Sequence, residues 1–340
     1  METAEPITAY RMRWKRRKYL WRAYKRRGEL TAVRRQTNKI KPSDILLFMT
    51  VRNEAVRLAH FIDYYRKLGV DHFLIVDNAS DDGTPDLVAE QPDVSLWWTD
   101  HSYKASGFGM DWLTALQFKY APNHWALTLD ADELLVLPGS DRQNLRDLTT
   151  HLDQRNVPMF GALMLDMYPK GPIEAAGYKA GTDPIKAIPW FDGPPYRSAR
   201  QSPMKNLWVQ GGSRDRMFFA DQPHKAPTLN KIPLVKWRKG YVYVNSTHSM
   251  LPRKLNAAYE NFAGEKVISG ALLHTKFLNT APERAREEKQ RRQHFGKPED
   301  FDAYYDAVSA SPDLWYEGSI RYEGPDQLET LGLISRGDWV

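Results

Sequence analysis

The sequence predicts an α/β protein with a mostly parallel central sheet and helices on both of its faces. From Ile45 onwards, short apolar runs alternate with segments of helical periodicity, which is the pattern of strand–helix–strand units. Polar loops follow the first of these runs, at the strand ends where open sheets of this class bind ligands. Hydrophobic residues make up 42% of the 340-residue chain, which is enough for a sizeable core in one large domain or two.

The alternation is most regular between residues 45 and 129. The predicted elements are a strand at 45–51, a helix at 54–68, a strand at 72–76, a helix from residue 84, a strand at 94–98, a helix at 108–120 and a strand at 124–129. Gly69 supplies the stop of the first helix, and Pro85 supplies the first-turn proline of the second. These two helix boundaries therefore have a local chemical cause.

Beyond residue 129 the predicted elements are shorter and further apart. Ser140 and Gln143 have the spacing of a capping box, and Leu145, Leu148 and Leu152 follow on one helix face. A strand is predicted at 159–165, short strands at 205–210, 241–245 and 270–273, and a charged helix from 282 to about 294. The Gly- and Pro-rich stretch 169–203 is too long for an ordinary connection, which favours loops that shape an acceptor site.

These patterns divide the chain into three parts. They are an N-terminal extension (1–41), a central domain (42–280) whose two halves meet at residue 140, and a C-terminal helical extension (281–340). The chain has no cysteine, which excludes disulfides, thiolate metal ligands and cysteine nucleophiles. Any metal must therefore be held by oxygen or imidazole ligands, which favours Mn²⁺ or Mg²⁺.

The basic character of the chain is concentrated in its N-terminal extension. Residues 1–41 hold 14 Lys/Arg and 3 Asp/Glu, whereas the whole chain has a net charge of +6. If residues 10–27 are helical, Tyr10, Trp14, Trp21 and Tyr24 form one stripe surrounded by cations. Such a helix suits an anionic membrane surface, while a solvated basic arm and a nucleic-acid contact fit the same composition.

The distribution of apolar residues along the chain also predicts where the protein resides. No run approaches the roughly 18 to 20 apolar residues that cross a bilayer, and the N-terminal stretch lacks the apolar centre of a secretory signal. We therefore expect a cytoplasmic protein, peripheral on the inner face of the plasma membrane if the aromatic stripe binds lipid.

The strongest functional signal is the acidic stretch after the apolar run 125–129. In extended backbone, Asp130 and Asp132 point to the same side roughly 7 Å apart. They could therefore share one metal ion, or divide a metal and a ribose between them. Glu133 is expected to support them as an acceptor behind the ligands, or to act as a helix-end charge. This placement predicts a metal–nucleotide site at the end of a buried strand.

Other nucleotide-binding motifs are absent. The first strand leads into Arg52, Asn53 and Glu54 where a dinucleotide site would have G-x-G-x-x-G, and no Walker phosphate loop occurs anywhere. Hydride transfer and ATP hydrolysis are therefore disfavoured.

Three polar loops together resemble those of the GT-A fold glycosyltransferases of family 2. The loops are Arg52-Asn53-Glu54, the segment 77–84 (Asp-Asn-Ala-Ser-Asp-Asp-Gly-Thr) and Asp130-Ala131-Asp132-Glu133, each after a predicted strand. Their order is similar to that family over about residues 45–140. The segment 211–219 (Gly-Gly-Ser-Arg-Asp-Arg-Met-Phe-Phe) is similar to the glycine-led acceptor-side segment of such enzymes. The resemblance implies a GT-A fold.

The resemblance also implies a nucleotide-sugar site. Its base and ribose contacts would come from Arg52, Asn53, Glu54, Asp77, Asn78, Ser80, Asp82 and Asp130. A Mn²⁺ or Mg²⁺ ion held by Asp132, with Asp130 and His274, would bridge the diphosphate of the donor. Hydrogen-bonded core positions are the structural alternative for His274 and for a second late histidine, His248, and an ordinary capped turn is the alternative for residues 77–82.

The resemblance further implies an acceptor side. An inverting member uses a carboxylate to remove the proton of the acceptor hydroxyl, and Asp215 is the first candidate and Asp166 the second. A salt bridge to Arg214 or Arg216 is the structural alternative for Asp215. The expected acceptor contacts are Trp190, Trp208, Arg214 and Arg216, and Arg214, Arg216 and Lys276 could also neutralise the diphosphate.

The sequence therefore predicts a metal-dependent glycosyltransferase, inverting by resemblance. It would move a sugar from a nucleotide-diphosphate donor to a glycan or lipid-linked acceptor in polysaccharide or glycoconjugate synthesis. Two alternatives stay open. A nucleotidyltransferase shares the α/β plan and paired acids, but normally begins with a glycine-rich loop and lysine that this chain lacks. A non-catalytic glycan- or nucleic-acid-binding protein on the same scaffold would not need paired metal carboxylates.

Overall fold

The computed structural model describes residues 5–244, 246–293 and 301–339. Its strands are β1 (Thr31–Arg34), β2 (Leu46–Val51), β3 (His72–Asp77), β4 (Val94–Trp98), β5 (Trp125–Thr128), β6 (Glu133–Val136), β7 (Met159–Asp166), β8 (Trp190–Asp192), β9 (Arg197–Arg200), β10 (Leu207–Gln210), β11 (Asn230–Lys236), β12 (Val242–Tyr243), β13 (Met250–Leu251), β14 (Ser269–His274) and β15 (Ser319–Arg321). Its α-helices are α1 (Glu5–Arg26), α2 (Ala55–Leu68), α3 (Thr84–Ala89), α4 (Met110–Tyr120), α5 (Leu145–Gln154), α6 (Gly212–Phe218), α7 (Ala281–Arg291), α8 (Asp302–Ser309) and α9 (Pro325–Thr330). Within these residues, no helix combines the length and the apolar character that crossing a bilayer requires.

Nine of these strands form one mixed sheet. Their order is β1-β4-β3-β2-β5-β11-β7-β14-β6. Strands β4, β3, β2, β5, β7 and β14 run in one direction, while β1, β11 and β6 run against them. The predicted α/β class with a mostly parallel central sheet is therefore confirmed. Antiparallel strands lie at both edges, and one lies in the middle.

Helices cover both faces of the sheet because its central strands are apolar on both faces. In β2, Leu47 and Met49 belong to one core layer, which includes Leu58 of α2. Leu46 and Phe48 belong to the layer on the other side, which includes residues of α4. This alternation follows from the two-residue period of a strand, and burial on both faces explains why β2 reads as a continuous apolar run.

The direction of the strands brings functional segments to one edge of the sheet. Strands β2, β3, β5, β7 and β14 all end there, and each is followed or terminated by a polar segment. Because β11 runs the other way, its first residues, Asn230 and Lys231, lie at the same edge.

Strand β11 is central, yet the sequence pattern does not predict it. It contains Pro233, which has no N–H to donate to a ladder and ordinarily argues against a central strand. The pairing with β7 is irregular between Lys231 and Leu234, and this irregularity accommodates the proline. A bulge makes a proline acceptable in a central strand. The sequence rule that excludes proline from such strands therefore fails here, and the strand was missed.

The capping box of α5 lies later than predicted. Asn144, instead of Ser140, accepts hydrogen bonds from the first turn, and Asp147 completes the box. The other predicted helices and strands agree with the structure to within a few residues. The predicted strand 241–245 is reduced to β12, and residue 245 and residue 294, the end of the predicted charged helix, lie outside the described residues. Strands β1, β6, β8, β9, β13 and β15 and helix α6 were not predicted.

The predicted N-terminal helix is present as α1, and it is docked on the central sheet through α4. Ala23 is buried, and the guanidinium groups of Arg22 and Arg26 lie 2.8 and 3.4 Å from the carboxylate of Asp111 in α4. Burial raises the pKa of Asp111, against the effect of the two arginines. The domain boundaries at residues 41 and 280 stay predictions.

Candidate functional site

A cavity of about 900 Å³ lies at the edge where β2, β3, β5, β7 and β14 end. Its wall also includes residues of α1, α4, α7 and α8. The predicted site residues on this wall are Arg52, Asn53, Glu54, Asn78, Asp130, Asp132, Trp208, Arg214 and His274. The predicted site residues that do not line it are Asp77, Ser80, Asp82, Asp166, Trp190, Asp215 and Arg216.

The loops that follow β2 and β3 are tied to each other. Nη1 of Arg52 donates to the carbonyl oxygens of Asn78 and Ala79, at 2.7 and 2.6 Å. The backbone N–H of Asn53 donates to Oγ of Ser80 at 2.9 Å. Nε of Arg52 is buried without a hydrogen-bond partner, although the residue lines the cavity. Arg52 therefore ties the two loops together, and its Nε is enclosed by the protein.

The side chains of Asp77, Ser80 and Asp82 stabilise the loop after β3 by hydrogen bonds. Asp77 accepts hydrogen bonds from the backbone N–H and the hydroxyl of Ser80, and Asp82 accepts from the backbone N–H and the hydroxyl of Thr84. Burial raises the pKa of Asp77. These contacts are those of the capped turn, so Asp77 and Asp82 shape the loop instead of facing the cavity.

Helix α7 meets the first loop through one guanidinium group. Nη1 of Arg284 donates to Oε1 of Glu54 at 2.7 Å, and Nη2 donates to the carbonyl oxygen of Asn53. Nε of Arg57 lies 3.0 Å from the other oxygen of Glu54, and its Nη1 lies 3.8 Å from Oδ2 of Asp132. Glu54 is therefore held between two cations, and Arg57 connects this loop to the acidic stretch.

Four side chains form a connected row beside the cavity. Nε of Arg214 donates to Oδ2 of Asp166 at 2.7 Å, and Oδ1 of Asp166 lies 2.6 Å from Nδ1 of His274. Nε2 of His274 lies 3.2 Å from Oδ2 of Asp132. Asp132 is the most exposed of the four, at 22% of its side chain, whereas Asp166 is 1% exposed. Arg214 and Asp132, at the two ends of the row, both line the cavity, and Asp166 between them is buried.

The strand register creates this row. Strand β14 lies between β7 and β6, and its last residue, His274, is directly paired with Asp166 on one side and with Glu133 on the other. The backbone N–H of the next residue, Thr275, donates to the carbonyl oxygen of Asp132 at 2.7 Å. Residues far apart in the sequence are therefore fixed by backbone hydrogen bonds.

The charges in the row reinforce each other. Burial opposes the charged form of Asp166, but Arg214 and His274 outweigh burial and lower the pKa of Asp166 to about 2. Burial likewise opposes the charge of Asp132, but His274 and Arg57 lower the pKa of Asp132 well below its usual range. Burial alone would lower the pKa of His274, yet the two carboxylates raise it. The two carboxylates therefore favour the protonated form of His274.

Asp130 and Glu133 share a lysine that the sequence reasoning missed. Nζ of Lys231 lies 3.1 Å from Oδ2 of Asp130 and 2.9 Å from Oε1 of Glu133. Lys231 and Glu133 are buried, whereas Asp130 is half-exposed. Burial raises the pKa of Glu133 to about 7, against the effect of Lys231. One oxygen of Asp130 is therefore directed towards Lys231, and its role as a metal ligand stays a prediction.

The residues present fit a divalent cation held by two protein ligands. Two ligands at right angles, each about 2.1 Å from Mg²⁺, are about 3 Å apart, close to the distance between Asp132 Oδ2 and His274 Nε2. The contact of Asp166 with the other imidazole nitrogen is the support that metal-bound histidines usually have. No cluster of three or more metal-binding side chains occurs in the described part of the chain, so the predicted set of Asp130, Asp132 and His274 is not assembled. Substrate phosphates and water commonly complete such a site.

The two residues predicted as bases are both engaged elsewhere. Both carboxylate oxygens of Asp166 bond to buried partners, so its geometry favours a support for His274 over the predicted role of a base. Asp215, in α6, accepts two hydrogen bonds from Arg197, at 2.8 and 2.9 Å, and lies off the cavity wall. Each carboxylate is paired with an arginine, and the assignment of either residue as the base stays a prediction.

Two of the four predicted acceptor contacts also lie away from the cavity. Arg216 bonds to Asp192 at 2.8 and 3.0 Å, and Trp190 packs edge-on against Trp315. Trp208 and Arg214 are on the wall. Trp190 lies in β8 and Trp208 in β10, and these strands belong to separate small sheets. Spacing along the sequence therefore does not show which of these side chains share a surface.

Several residues of the wall were not predicted. They include Tyr103, Lys104, Lys231, Arg57, Arg284 and Tyr304. Arg57 follows the first loop by one helical turn, and this spacing could have identified it. The others reach the cavity through long-range packing, for which the sequence offers no local signal.

No known protein family and no curated protein matches the sequence. Among solved structures, 4-diphosphocytidyl-2C-methyl-D-erythritol synthase is similar, with 16% identity and a TM-score of 0.25 over 42% of this chain and 68% of that chain. UDP-glucose pyrophosphorylase from Acinetobacter baumanii is similar with 11% identity and a TM-score of 0.29, over 78% of this chain and 99% of that chain. Both scores are low, so the description of the fold and the site rests on the chain itself.

Proposed function

We propose that this protein is a metal-dependent glycosyltransferase of the GT-A type. It would transfer a sugar from a nucleoside-diphosphate donor to a hydroxyl group of a glycan or lipid-linked acceptor. The observation that carries the proposal is the pair Asp132 and His274, 3.2 Å apart at the wall of a cavity of about 900 Å³ and backed by Asp166. Two ligands leave coordination positions for the diphosphate, which is how Mg²⁺ is usually held with phosphorylated substrates.

Cations around this pair supply the second requirement of a diphosphate site. Arg57, Arg214, Lys276 and Arg284 are on the same wall, and Lys276 contributes to the lowered pKa of Asp132. Arg214 lines the cavity, and a guanidinium group matches the geometry of phosphate oxygens well.

The loops after β2 and β3 would hold the nucleoside. Arg52, Asn53 and Asn78 are on the wall, where their polar side chains would meet the ribose or the base. Asp130, half-exposed beside Lys231, would contact the ribose or a metal-bound water. The nucleoside would then lie at the β2–β3 side and the diphosphate at the β14 side of the cavity.

The chain's own residues prepare the reaction by fixing charge and geometry. A divalent cation held by Asp132 and His274 would neutralise the negative charge that develops on the departing diphosphate. Asp166 holds His274 in one orientation, and Arg214 keeps Asp166 ionised. Arg57 and Arg284 both bond to Glu54, and so they hold the loop after β2 beside α7. These contacts exist before any substrate binds, so little reorganisation is needed.

A product assay separates this proposal from nucleotidyl transfer. Purified protein is incubated with UDP-, GDP-, CDP- and dTDP-sugars and Mn²⁺ or Mg²⁺, and release of the nucleoside diphosphate is measured with and without glycan and lipid acceptors. A parallel reaction contains nucleoside triphosphates and sugar 1-phosphates, and release of pyrophosphate is measured. We expect metal-dependent release of one nucleoside diphosphate and no pyrophosphate.

Two variants make the assay specific. Asp132→Asn removes a proposed ligand, and Asp338→Asn removes an exposed carboxylate that also lies 3.2 Å from a histidine nitrogen, that of His151. We expect activity to fall by about two orders of magnitude or more in Asp132→Asn and to persist in Asp338→Asn. Pyrophosphate release without diphosphate release would establish the nucleotidyltransferase instead. Nucleotide binding without turnover of any donor would favour a binding protein.

A further inference from the structure

We propose that the outward face of α1 is a docking surface for an anionic lipid bilayer. Five large apolar side chains of this helix are exposed: Ile7, Tyr10, Trp14, Trp21 and Tyr24. They are spaced by three, four or seven residues, so they lie on one side of the helix. The stripe runs over 18 residues from Ile7 to Tyr24, and the 17 steps between its ends correspond to about 26 Å at 1.5 Å per residue. Exposed aromatic surface of this extent on one helix marks an interaction site.

The remainder of the outward face is cationic. The exposed cations of α1 are Arg11, Arg13, Arg17, Lys18 and Lys25. Residues 6–28 contain no Asp or Glu. The guanidinium of Arg17 lies 5.3 Å from the ring of Trp14, and the amine of Lys25 lies 5.4 Å from the ring of Trp21. Aromatic and cationic groups therefore form one mixed surface, as in helices that lie in the plane of an anionic membrane.

The opposite side of α1 is fixed to the protein, so the surface is held in place. Ala23 is buried, and Met12, Tyr19 and Leu20 pack against an apolar cluster that includes Val242 and Leu251. Arg22 bonds to Asp111 at 2.8 and 3.1 Å. The helix is a docked element and not a free basic arm, which distinguishes this surface from the solvated alternative.

Charge and shape favour a bilayer over other partners. A second copy of this chain seated on the same face would bring two sets of cations together, without a carboxylate between residues 6 and 28 to offset them. Single-stranded nucleic acid is typically bound in a basic groove with aromatic platforms, whereas these side chains stand on the convex surface of one helix and include the aliphatic Ile7. An anionic bilayer is flat and has an apolar interior, so it can contact the cations and the apolar side chains of this face at the same time.

Docking would place the cavity beside the membrane. Tyr19 and Arg22 line the cavity from the inner side of the same helix. If the proposed function holds, an acceptor anchored in the bilayer could enter from that side. This consequence depends on the proposed function, but binding of α1 to the bilayer does not.

Vesicle flotation of the full chain tests the proposal without any substrate. The vesicles contain either phosphatidylcholine alone or equal parts of phosphatidylcholine and phosphatidylglycerol. We expect binding to the anionic vesicles and about a hundredfold weaker binding to the neutral ones, and the binding should decrease as salt is raised.

Two sets of exposed substitutions test the two components. Arg13→Gln/Arg17→Gln/Lys18→Gln should weaken binding about a hundredfold, since each cation near the surface contributes about fivefold. Trp14→Ser/Trp21→Ser should weaken it by about tenfold or more. The matched charge control is Arg142→Gln/Arg155→Gln/Lys179→Gln, three exposed cations outside α1, and the aromatic control is Phe262→Ser. Both controls should bind as the wild type does.

The same measurements can overturn the proposal. Absence of flotation with anionic vesicles, or unchanged binding in both α1 variants, would refute it. Binding of a fluorescent oligonucleotide that depends on Trp14 and Trp21, with no flotation, would assign the face to nucleic acid. Concentration-dependent dimerisation lost in Trp14→Ser/Trp21→Ser, with no flotation, would assign it to a second copy. If the wild-type protein floats with anionic vesicles but turns over no nucleotide sugar, only the proposed function is rejected.

Discussion

Nδ1 of His274 lies 2.6 Å from Oδ1 of Asp166, and the two residues are direct neighbours across the parallel strands β14 and β7. The backbone register therefore fixes the orientation of the imidazole, with Nε2 directed at Asp132. Asp166 acts through His274 and does not itself face the cavity. The stability of this arrangement and its capacity for metal can be measured separately.

Asp166→Asn should lower the free energy of unfolding by about 3 kcal/mol or more, because it leaves Arg214 as an uncompensated buried cation. Asp338→Asn should lower it by less than about 1 kcal/mol, since the pairs of Asp338 with His151 and Arg155 are exposed. Urea unfolding of the three proteins measures both effects. Equal stability of the two variants would contradict the buried role of Asp166.

The contribution of Asp166 should also depend on pH in the acid range. Its pKa in the folded protein, about 2, lies below the ordinary value of 3.8. A lowered carboxyl pKa stabilises the folded state above the ordinary value, and the stabilisation is lost as the pH falls towards the folded value. The stability difference between wild type and Asp166→Asn should therefore shrink by about 2 kcal/mol between about pH 5 and about pH 2. A difference that is independent of pH would show that Asp166 is not ionised against Arg214.

Lys231→Met should destabilise the protein increasingly as the pH rises above about 7, because an ionised Glu133 would then be buried without its cation. The pKa of Glu133, which burial already raises to about 7, should rise further in this variant. The double variant Lys231→Met/Glu133→Gln should recover most of the loss, with a coupling energy of about 1 to 3 kcal/mol in a double-mutant cycle. Additive effects of the two substitutions would contradict the ion pair.

Arg284→Ala should loosen the contact between α7 and the loop after β2. Its hydrogen bonds to Glu54 and to the carbonyl of Asn53 would be lost, and charge-assisted bonds contribute about 1.5 to 3 kcal/mol. Amide hydrogen exchange in α7 should therefore accelerate by about tenfold or more. Arg286→Ala is the control, because that exposed side chain of the same helix bonds only to the carbonyl of Ser309 among its described contacts. Equal exchange in the two variants would show that Arg284 does not hold the loop.

Local patterns were sufficient for much of the framework. The apolar runs of β2, β3, β4, β5, β7 and β14 are long and bounded by polar turns, so they were predicted from the sequence. Strand β11 was not, because Pro233 ordinarily excludes a central position and only the irregular ladder beside it makes the strand acceptable. With β11, Lys231 also escaped notice, although it pairs with two residues of the acidic stretch.

The site was predictable where it lies on loops and unpredictable where it depends on register. Asp132 follows a strand directly, and His274 ends one, so both could be selected as candidates from position alone. The support of His274 by Asp166 joins residues separated by 108 positions, and no local pattern contains that information. Asp215 lies in helix α6. That it pairs with Arg197 and does not line the cavity follows only from the tertiary fold.

The central claim is that Asp132 and His274 bind a divalent cation together with a nucleoside diphosphate. The most direct measurement is the paramagnetic resonance signal of free Mn²⁺, titrated with wild-type protein, Asp132→Asn and the control Asp338→Asn, with and without UDP, GDP, CDP or dTDP. We predict that one nucleotide promotes Mn²⁺ binding to the wild type and the control, and that Asp132→Asn weakens it by about tenfold or more. Binding of Mn²⁺ that is unchanged in Asp132→Asn, or that no nucleotide affects, would contradict the claim.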